Sequence, residues 1–324
     1  MKLITSEEIL RRYIPNVLQT VKGEVPLFDK LTSFLDIAEE WVAHTFTSAS
    51  TFSTIAGYAD ANIIKTYAAK VVVCEAFKNA VPSLDLILTP NGFGIVSNSN
   101  VAPASKERVY RLIDSLEAER DNAIRLLLSS LPGEPSWMTS TQCEYFSATM
   151  FPNLDICDYL GVAHQQWKKY QEVRATLLEI EQHIATQFLG QEQLDVFRKE
   201  AMSPSSTSYL MKSVIRSLRA YEAQVLKNML STPEPSVCTP PTALVSIVNI
   251  IRNQPDEFPL WHSSSIAELY KPAIFENKKM DTAYWFRLCN RHSIFQSLSR
   301  GNHSATSNCA SCSVCSHPSI LCHK

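Results

Sequence analysis

The chain has 324 residues, 30 Lys+Arg against 32 Asp+Glu, 45% apolar residues and 19% charged ones. That balance excludes a chain disordered throughout, and it excludes the strongly basic or acidic tails of nucleic-acid-packing proteins. It leaves material for one large core or two ordinary domains.

Thr5 or Ser6 is placed to cap a short first helix, with Glu7 and Glu8 in its first turn, Ile9, Leu10, Tyr13 and Ile14 on one side, and Pro15 at its end. The charges at Glu7, Glu8, Arg11 and Arg12 break any apolar stretch of signal-peptide length. No window of eighteen uncharged apolar residues occurs, so no membrane span is expected. A second helix runs from Pro26 to about Thr47, where Leu27, Leu31, Leu35, Ala38, Trp41 and Val42 recur at helical spacing, with Glu39 and Glu40 among the polar residues around them. The run TFTSASTFS reads as a loop, and a third helix is expected from about Ile55 to Asn79.

Leu84, Leu86 and Leu88 then alternate with Asp85 and Ile87, and Asn91-Gly92 supplies the two-residue turn of a small β-hairpin near residues 84–96. A well-marked helix follows Ser105, with Val109, Leu112, Ile113, Leu116, Ala123, Leu127 and Leu128 on its apolar face, and stops at Pro132-Gly133. Further helices are expected over His164–Phe188, Glu192–Ala201, Ser208–Leu230, Thr242–Arg252 and Ser264–Tyr270. The run TPEPSVCTPP is a boundary or a rigid connector, and ENKKMDTAYWF suits a turn with a short strand. The fold class is therefore mainly α, two packed helical units with one hairpin and no strict internal sequence repeat. The expected organisation is an N-terminal unit over 1–133, a second over 134–232, a connector with short helices over 233–286, and a Cys/Ser-rich tail over 287–324 outside the folded body.

Chemistry-bearing residues are sparse. Cys309, Cys312 and Cys315 have the spacing of the first three ligands of a ferredoxin-type cluster, but Ser316-His317-Pro318 stands where a fourth ligand would follow. With His317, Cys322 or His323 they could also ligate zinc, although no apolar core surrounds them. An oxidation-prone tail without a specific metal is the plainer reading. Cys74, Cys143, Cys157, Cys238 and Cys289 sit beside apolar residues and read as free thiols. Gly92-Phe93-Gly94 is no phosphate loop; with Asn91 it makes a tight turn that could project between subunits. His44, His164, His183 and His262 lack H-E-x-x-H spacing, and Asp155 and Asp158 near His164 suit turn and cap roles as well as a metal. Basic residues share their helices with acids: Lys106, Arg108, Arg111, Arg120 and Arg125 with Glu107, Glu117, Glu119 and Asp121, and Lys168, Lys169 and Arg174 with Glu172, Glu179 and Glu181. These read as solvated or subunit-contacting faces, so any nucleic-acid contact is expected not to be sequence-specific. No catalytic residues and no cofactor are assigned.

The strings LTPNGFGIVSNSNVAPASKERVYRLIDSLEAERD, EYFSATMFPNLDICDYLG, FRKEAM and IRNQPDEFPLW…FENKKMDTAYWF carry a resemblance over about residues 1–286. They resemble a family of uncharacterised proteins encoded in phages and prophages of gut Bacteroidetes. The resemblance implies a non-enzymatic virion structural protein, a head–tail connector or neck adaptor, assembled as a homo-oligomer with other virion proteins. It implies no membrane partner, and a location in the virion or in the bacterial cytoplasm during assembly. A soluble host adaptor or scaffold, and a metal-binding regulator or enzyme using the Cys-rich tail, are the competing expectations. The tail beyond Phe286 lies outside the resemblance, as a divergent extension or the product of a changed reading frame.

Overall fold

The computed structural model describes residues 2–14, 25–84, 86–89, 92–95, 105–205, 208–231 and 242–270. The Pro-rich connector, the ENKKMDTAYWF segment, Asn91 and the Cys-rich tail lie outside the described residues. By contacts the chain divides into two compact units, residues 1–227 with 241–271 and residues 228–240 with 272–324. The second is almost wholly outside the described residues.

The described chain is mainly helical. Its α-helices are α1 (Glu7–Tyr13), α2 (Leu27–Val42), α3 (Ala49–Ala56), α4 (Ile63–Ala80), α5 (Lys106–Ser130), α6 (Pro135–Met138), α7 (Thr141–Ser147), α8 (Asp155–Leu160), α9 (Gln166–Ile184), α10 (Gln191–Met202), α11 (Tyr209–Ser231), α12 (Thr242–Arg252), α13 (Pro259–His262) and α14 (Ser265–Leu269). Between α4 and α5 the backbone of Leu86–Thr89 pairs antiparallel with Gly92–Ile95, Leu88 opposite Phe93 and Thr89 opposite Gly92.

The TFTSASTFS run is not a loop. Its first residues close a π-helical turn, Ala43–Thr47, and the rest is α3, which ends before Gly57 and is separate from α4. Ser48 makes the break. It sits at φ 77° and ψ 153°, and its Oγ accepts the N–H of Thr51 at 3.3 Å. The hydroxyl-rich composition that suggests a loop here supplies the cap of a helix.

The core of the first unit is built twice. The residues from Leu3 to Ser147 form one module, and those from Met150 to Tyr270 form a second with the same construction. Each begins with a short non-helical segment and a short helix, α1 or α8, packed on a long helix, α2 or α9. Each long helix ends in a π-helical turn, Ala43–Thr47 or Ala185–Leu189. Each turn is followed by a residue of positive φ, Ser48 at 77° or Gly190 at 82°. Each break opens a further helix, α3 or α10.

Each π turn is then sealed by a buried tryptophan. Trp137 Nε1–H donates to the carbonyl of Phe46 at 2.8 Å, and Trp261 Nε1–H donates to that of Phe188 at 2.9 Å. Ser140 Oγ donates to Trp137 O and Ser264 Oγ donates to Trp261 O, both at 2.6 Å, and each serine caps the next short helix. Phe46 meets Phe146 at a ring separation of 6.1 Å, as Phe188 meets Tyr270 at 6.1 Å. The sequence echo is short: Pro135-x-Trp137-x-x-Ser140 against Pro259-x-Trp261-x-x-Ser264.

Among the described residues the modules differ at their last long helix. Leu244, Ile247, Val248 and Ile251 of the 11-residue α12 are buried at the spacing at which α5 buries Arg120, Ala123, Ile124 and Leu127. But α5 has 25 residues, so its N-terminal half has no counterpart in α12.

Candidate functional site

The buried charges mark where the two modules are held. In the first, Glu39 on α2 lies between Leu35 and Val42 on the core face. One oxygen, Oε1, accepts the N–H of Leu3 at 2.6 Å and that of Ile4 at 3.1 Å, so the carboxylate clamps the N-terminal segment to the helix. Burial pushes the Glu39 carboxyl above its ordinary range, and the two backbone N–H groups pull the other way.

Glu181 on α9 is the counterpart, placed between Leu177 and Ile184 by the same spacing and fully buried. Its Oε1 accepts the N–H of Met150 at 2.7 Å, and its Oε2 accepts Arg198 Nε–H from α10 at 2.7 Å. Arg219 of α11 donates to the carbonyl of Met150 at 2.7 Å, so one residue is gripped through both its backbone groups. Arg219 also reaches Asp155 at 3.5 Å and lies 4.9 Å from the Phe151 ring. Glu222 of α11 is fully buried beside this group, and neither of its oxygens has a hydrogen-bond partner. Burial, and then the charge of Glu181, push the Glu222 carboxyl well above the usual carboxylate range. Burial also raises Glu181, against the pull of Arg198.

A third set joins the modules. Asp121, 2% exposed, accepts the N–H of Gln166 at 2.7 Å and that of Trp167 at 3.3 Å, and so caps the N-terminus of α9. Arg120 donates to Asp121 at 2.6 Å and to Glu75 of α4 at 2.7 Å. Burial alone would lower the Arg120 guanidinium, but Asp121 and Glu75 outweigh it and hold it above its ordinary value. Arg125 bonds Asp158 at 2.9 Å. Around this joint Trp41, Phe46 and Phe146 of the first module pack on Trp167, the last also on Tyr170. Arg174 lies 3.5 Å from the Tyr145 ring and donates to its carbonyl at 2.7 Å.

Arg120, Asp121 and Glu181, read from sequence as part of mixed-charge surfaces, are thus interior groups. The spacing carried the signal. Arg120 stands four residues after Leu116 and three before Ala123, a position that faces the core, and Glu39 and Glu181 each stand four after a leucine and three before a β-branched residue. Polar residues there must find partners inside.

Of the residues singled out from sequence, Gly92, Phe93 and Gly94 lie in the second strand, while Cys309, Cys312, Cys315, His317 and Cys322 lie outside the described residues. Asp155 and Asp158 face Arg125 and Arg219, and His164 is exposed. Among the described residues no group of three or more His, Cys, Asp or Glu could hold a metal ion, and no helix is long and apolar enough to cross a membrane. Cys74, Cys143 and Cys157 are buried and free; burial pushes the Cys74 thiol up to about 12 and the Cys157 thiol up to about 11, which keeps both protonated. The chemistry available to the three carboxylates is to hold chain segments together: Glu39, Glu181 and Asp121 each use one oxygen on main-chain N–H groups, and Glu181 and Asp121 use the other on an arginine.

A model of a family of unknown function (DUF6712) matches residues 14–147. The match stops where the first module ends. No curated protein and no solved structure matches the chain.

Proposed function

We propose that this chain is a non-enzymatic structural subunit that works as an oligomer, and that its setting is the one its sequence resemblance implies, a connector or neck position in a phage virion. The observation that carries the reading is how the buried ionic groups are used. In both modules, and at the joint between them, they grip the chain's own backbone and fix helices against each other, which is what a rigid assembly part requires. The strand pair of Leu86–Thr89 with Gly92–Ile95 and the first half of the 25-residue α5 supply surface that has no counterpart among the described residues of the second module. Partners on this reading are further copies of the chain and other virion proteins.

Native mass spectrometry and electron microscopy of the purified chain test this reading. A closed assembly of fixed stoichiometry supports it, and a monomer under all assembly conditions overturns it. Stoichiometric zinc or iron that disappears on truncation after Phe286 would instead favour a metal-dependent role for the tail.

A further inference from the structure

Helix α11 carries into the second module one charged side chain that no group there answers. Glu222 is fully buried, and among the described residues neither of its oxygens has a hydrogen-bond partner. The charged groups acting on it come from three helices: Glu181 of α9, Arg198 of α10 and Arg219 of α11 itself. Glu181 repels it. Arg198 is bound to Glu181 at 2.7 Å and to Asp195 at 3.0 Å. Arg219 is bound to the carbonyl of Met150 at 2.7 Å and to Asp155 at 3.5 Å. Burial, and then Glu222, push the phenol of neighbouring Tyr221 up to about 12, so it stays uncharged. Both arginines are thus engaged elsewhere. An ionised Glu222 is a buried charge without a counter-ion bonded to it, whereas the protonated acid costs only its missing hydrogen bonds.

Glu222 reaches water only where its helix face leaves the core. Leu218 stands four residues before it and Leu226 four after, and both are fully buried on the same stripe. Helices α9 and α10 are fixed by contacts that do not involve α11. Asp121 caps the start of α9, and Trp261 seals the π turn at its end. On α10, Gln193 accepts the N–H of Trp261 at 3.2 Å, and Phe197 meets Phe258 at a ring separation of 5.9 Å. The ties of Arg219 to Met150 and Asp155 belong to α11 and leave with it. Moving α11 therefore frees the charge and keeps the contacts that hold α9 and α10.

We propose that α11 is a proton-held latch: it lies on the second module while Glu222 carries a proton, and loss of that proton opens α11 while α9 and α10 stay folded. The buried stripe of Val214, Leu218, Val225 and Leu226 still favours the closed form, so the open form is a minor population that pH enlarges. In the open form the carboxyl is solvated and titrates near its ordinary value of about 4.3. In the closed form burial, and then Glu181, hold it well above that value. Acid therefore favours the closed form. Between the two values each pH unit upward raises the opening constant by up to about tenfold, and above the closed-form value the rise stops. The first module has no such latch, because α4 buries no acidic residue.

The test is amide hydrogen exchange read by mass spectrometry on the full chain from about pH 5 to pH 9, with wild type and Glu222→Gln compared at each pH so that intrinsic exchange rates cancel. Peptides of α11 should exchange more than about tenfold faster than those of α9 and α10. Their rate in wild type relative to Glu222→Gln should climb with pH, by up to about tenfold per unit, and then level off. Exchange of α11 in step with α9 and α10 overturns the inference, since α11 then opens only with the whole module. The same pH course in wild type and Glu222→Gln overturns it as well, since the opening then ignores the Glu222 proton. Where Glu222→Gln does not fold, the wild-type series decides alone, once intrinsic rates are divided out: a pH-independent opening of α11 overturns the inference, and a rising one that runs ahead of α9 and α10 supports it.

Discussion

The two modules hold the same backbone joint with different amounts of charge. Glu39 meets two N–H groups and is helped by no buried cation. Glu181 meets one N–H group, one arginine, and a second carboxyl nearby in Glu222, while Arg219 takes the carbonyl of the residue it clamps. The simpler clamp sits at the start of the chain, where a segment of a few residues is tied down. The elaborate one sits where the second module begins, with α8, α9, α10 and α11 converging on it. A buried ionic cluster costs desolvation and is retained where several elements must be fixed at once. The comparison suggests that the second clamp sets the placement of four helices and the first only the path of one segment.

The largest effects should fall on what the modules share. Trp137 and Trp261 are each 1% exposed and each seals a π turn. Trp137→Ala and Trp261→Ala should each cost about 3–5 kcal/mol, from the lost burial and from the unpaired carbonyl of Phe46 or Phe188. Denaturant unfolding measures both, and the two losses should agree within about 1 kcal/mol if the seals are equivalent. A loss confined to one module would break the equivalence.

The clamps themselves should separate. Glu181→Ala strands the buried N–H of Met150 and takes from the part-buried Arg198 one of its two carboxylates, and should cost about 3–5 kcal/mol. Glu39→Ala strands two N–H groups near the chain start and should cost about 1–3 kcal/mol. Equal losses would mean that the arginines around Glu181 add nothing beyond the backbone bond.

The breaks after the π turns sharpen the comparison further. Gly190 at φ 82° suits a conformation that glycine tolerates, and a Cβ there would also meet Ser264 Cβ at 3.3 Å. Ser48 holds nearly the same angles with a side chain, and its Oγ caps α3 in return. Gly190→Ala should therefore cost about 1–3 kcal/mol. Ser48→Gly should stabilise by about 1 kcal/mol, because the strain relieved exceeds the few tenths lost when glycine replaces a serine cap. A destabilised Ser48→Gly protein would show that the hydroxyl contacts of Ser48 with Thr51 outweigh the strain.

Much of the helical layout was legible in the residues. The expected Thr242–Arg252 helix is α12 as observed, and the ends of α10 and α11 fall within a residue of their expected places. The reason is physical: these segments bury one apolar stripe, and the stripe is visible as spacing. The duplicated construction was not legible. It is carried by backbone geometry, by a tryptophan N–H and by a serine cap, so that only Pro-x-Trp-x-x-Ser is common to the two modules in sequence while Phe146 answers to Tyr270 and Ser48 to Gly190. The polar sites were hidden for a related reason. A charged residue at a core-facing position looks like an interruption of the stripe until its partner is known, and the partners of Glu39 and Glu181 are backbone groups more than thirty residues away.

A last effect separates the clamps by pH. Glu222 has no counterpart at the Glu39 clamp. Its carboxyl is held well above the unfolded value of about 4.3, first by burial and then by Glu181, with Arg219 and Arg198 opposing. The folded protein therefore keeps this proton to higher pH than the unfolded chain does. Its contribution is fully present below the unfolded pKa and is lost as pH rises through the folded one. Glu222→Gln keeps the shape and removes the titration. Between those two pKa values the wild type should lose up to about 1.4 kcal/mol of stability per pH unit relative to Glu222→Gln, a slope set by one proton. Glu39→Gln should remove a slope of the same sign and shorter range, because two N–H bonds restrain the Glu39 shift. Melting curves of the three proteins across pH decide it. A gap between wild type and Glu222→Gln that stays constant with pH would mean that Glu222 titrates in the folded protein as it does in the unfolded chain, and that burial beside Glu181 does not raise its carboxyl.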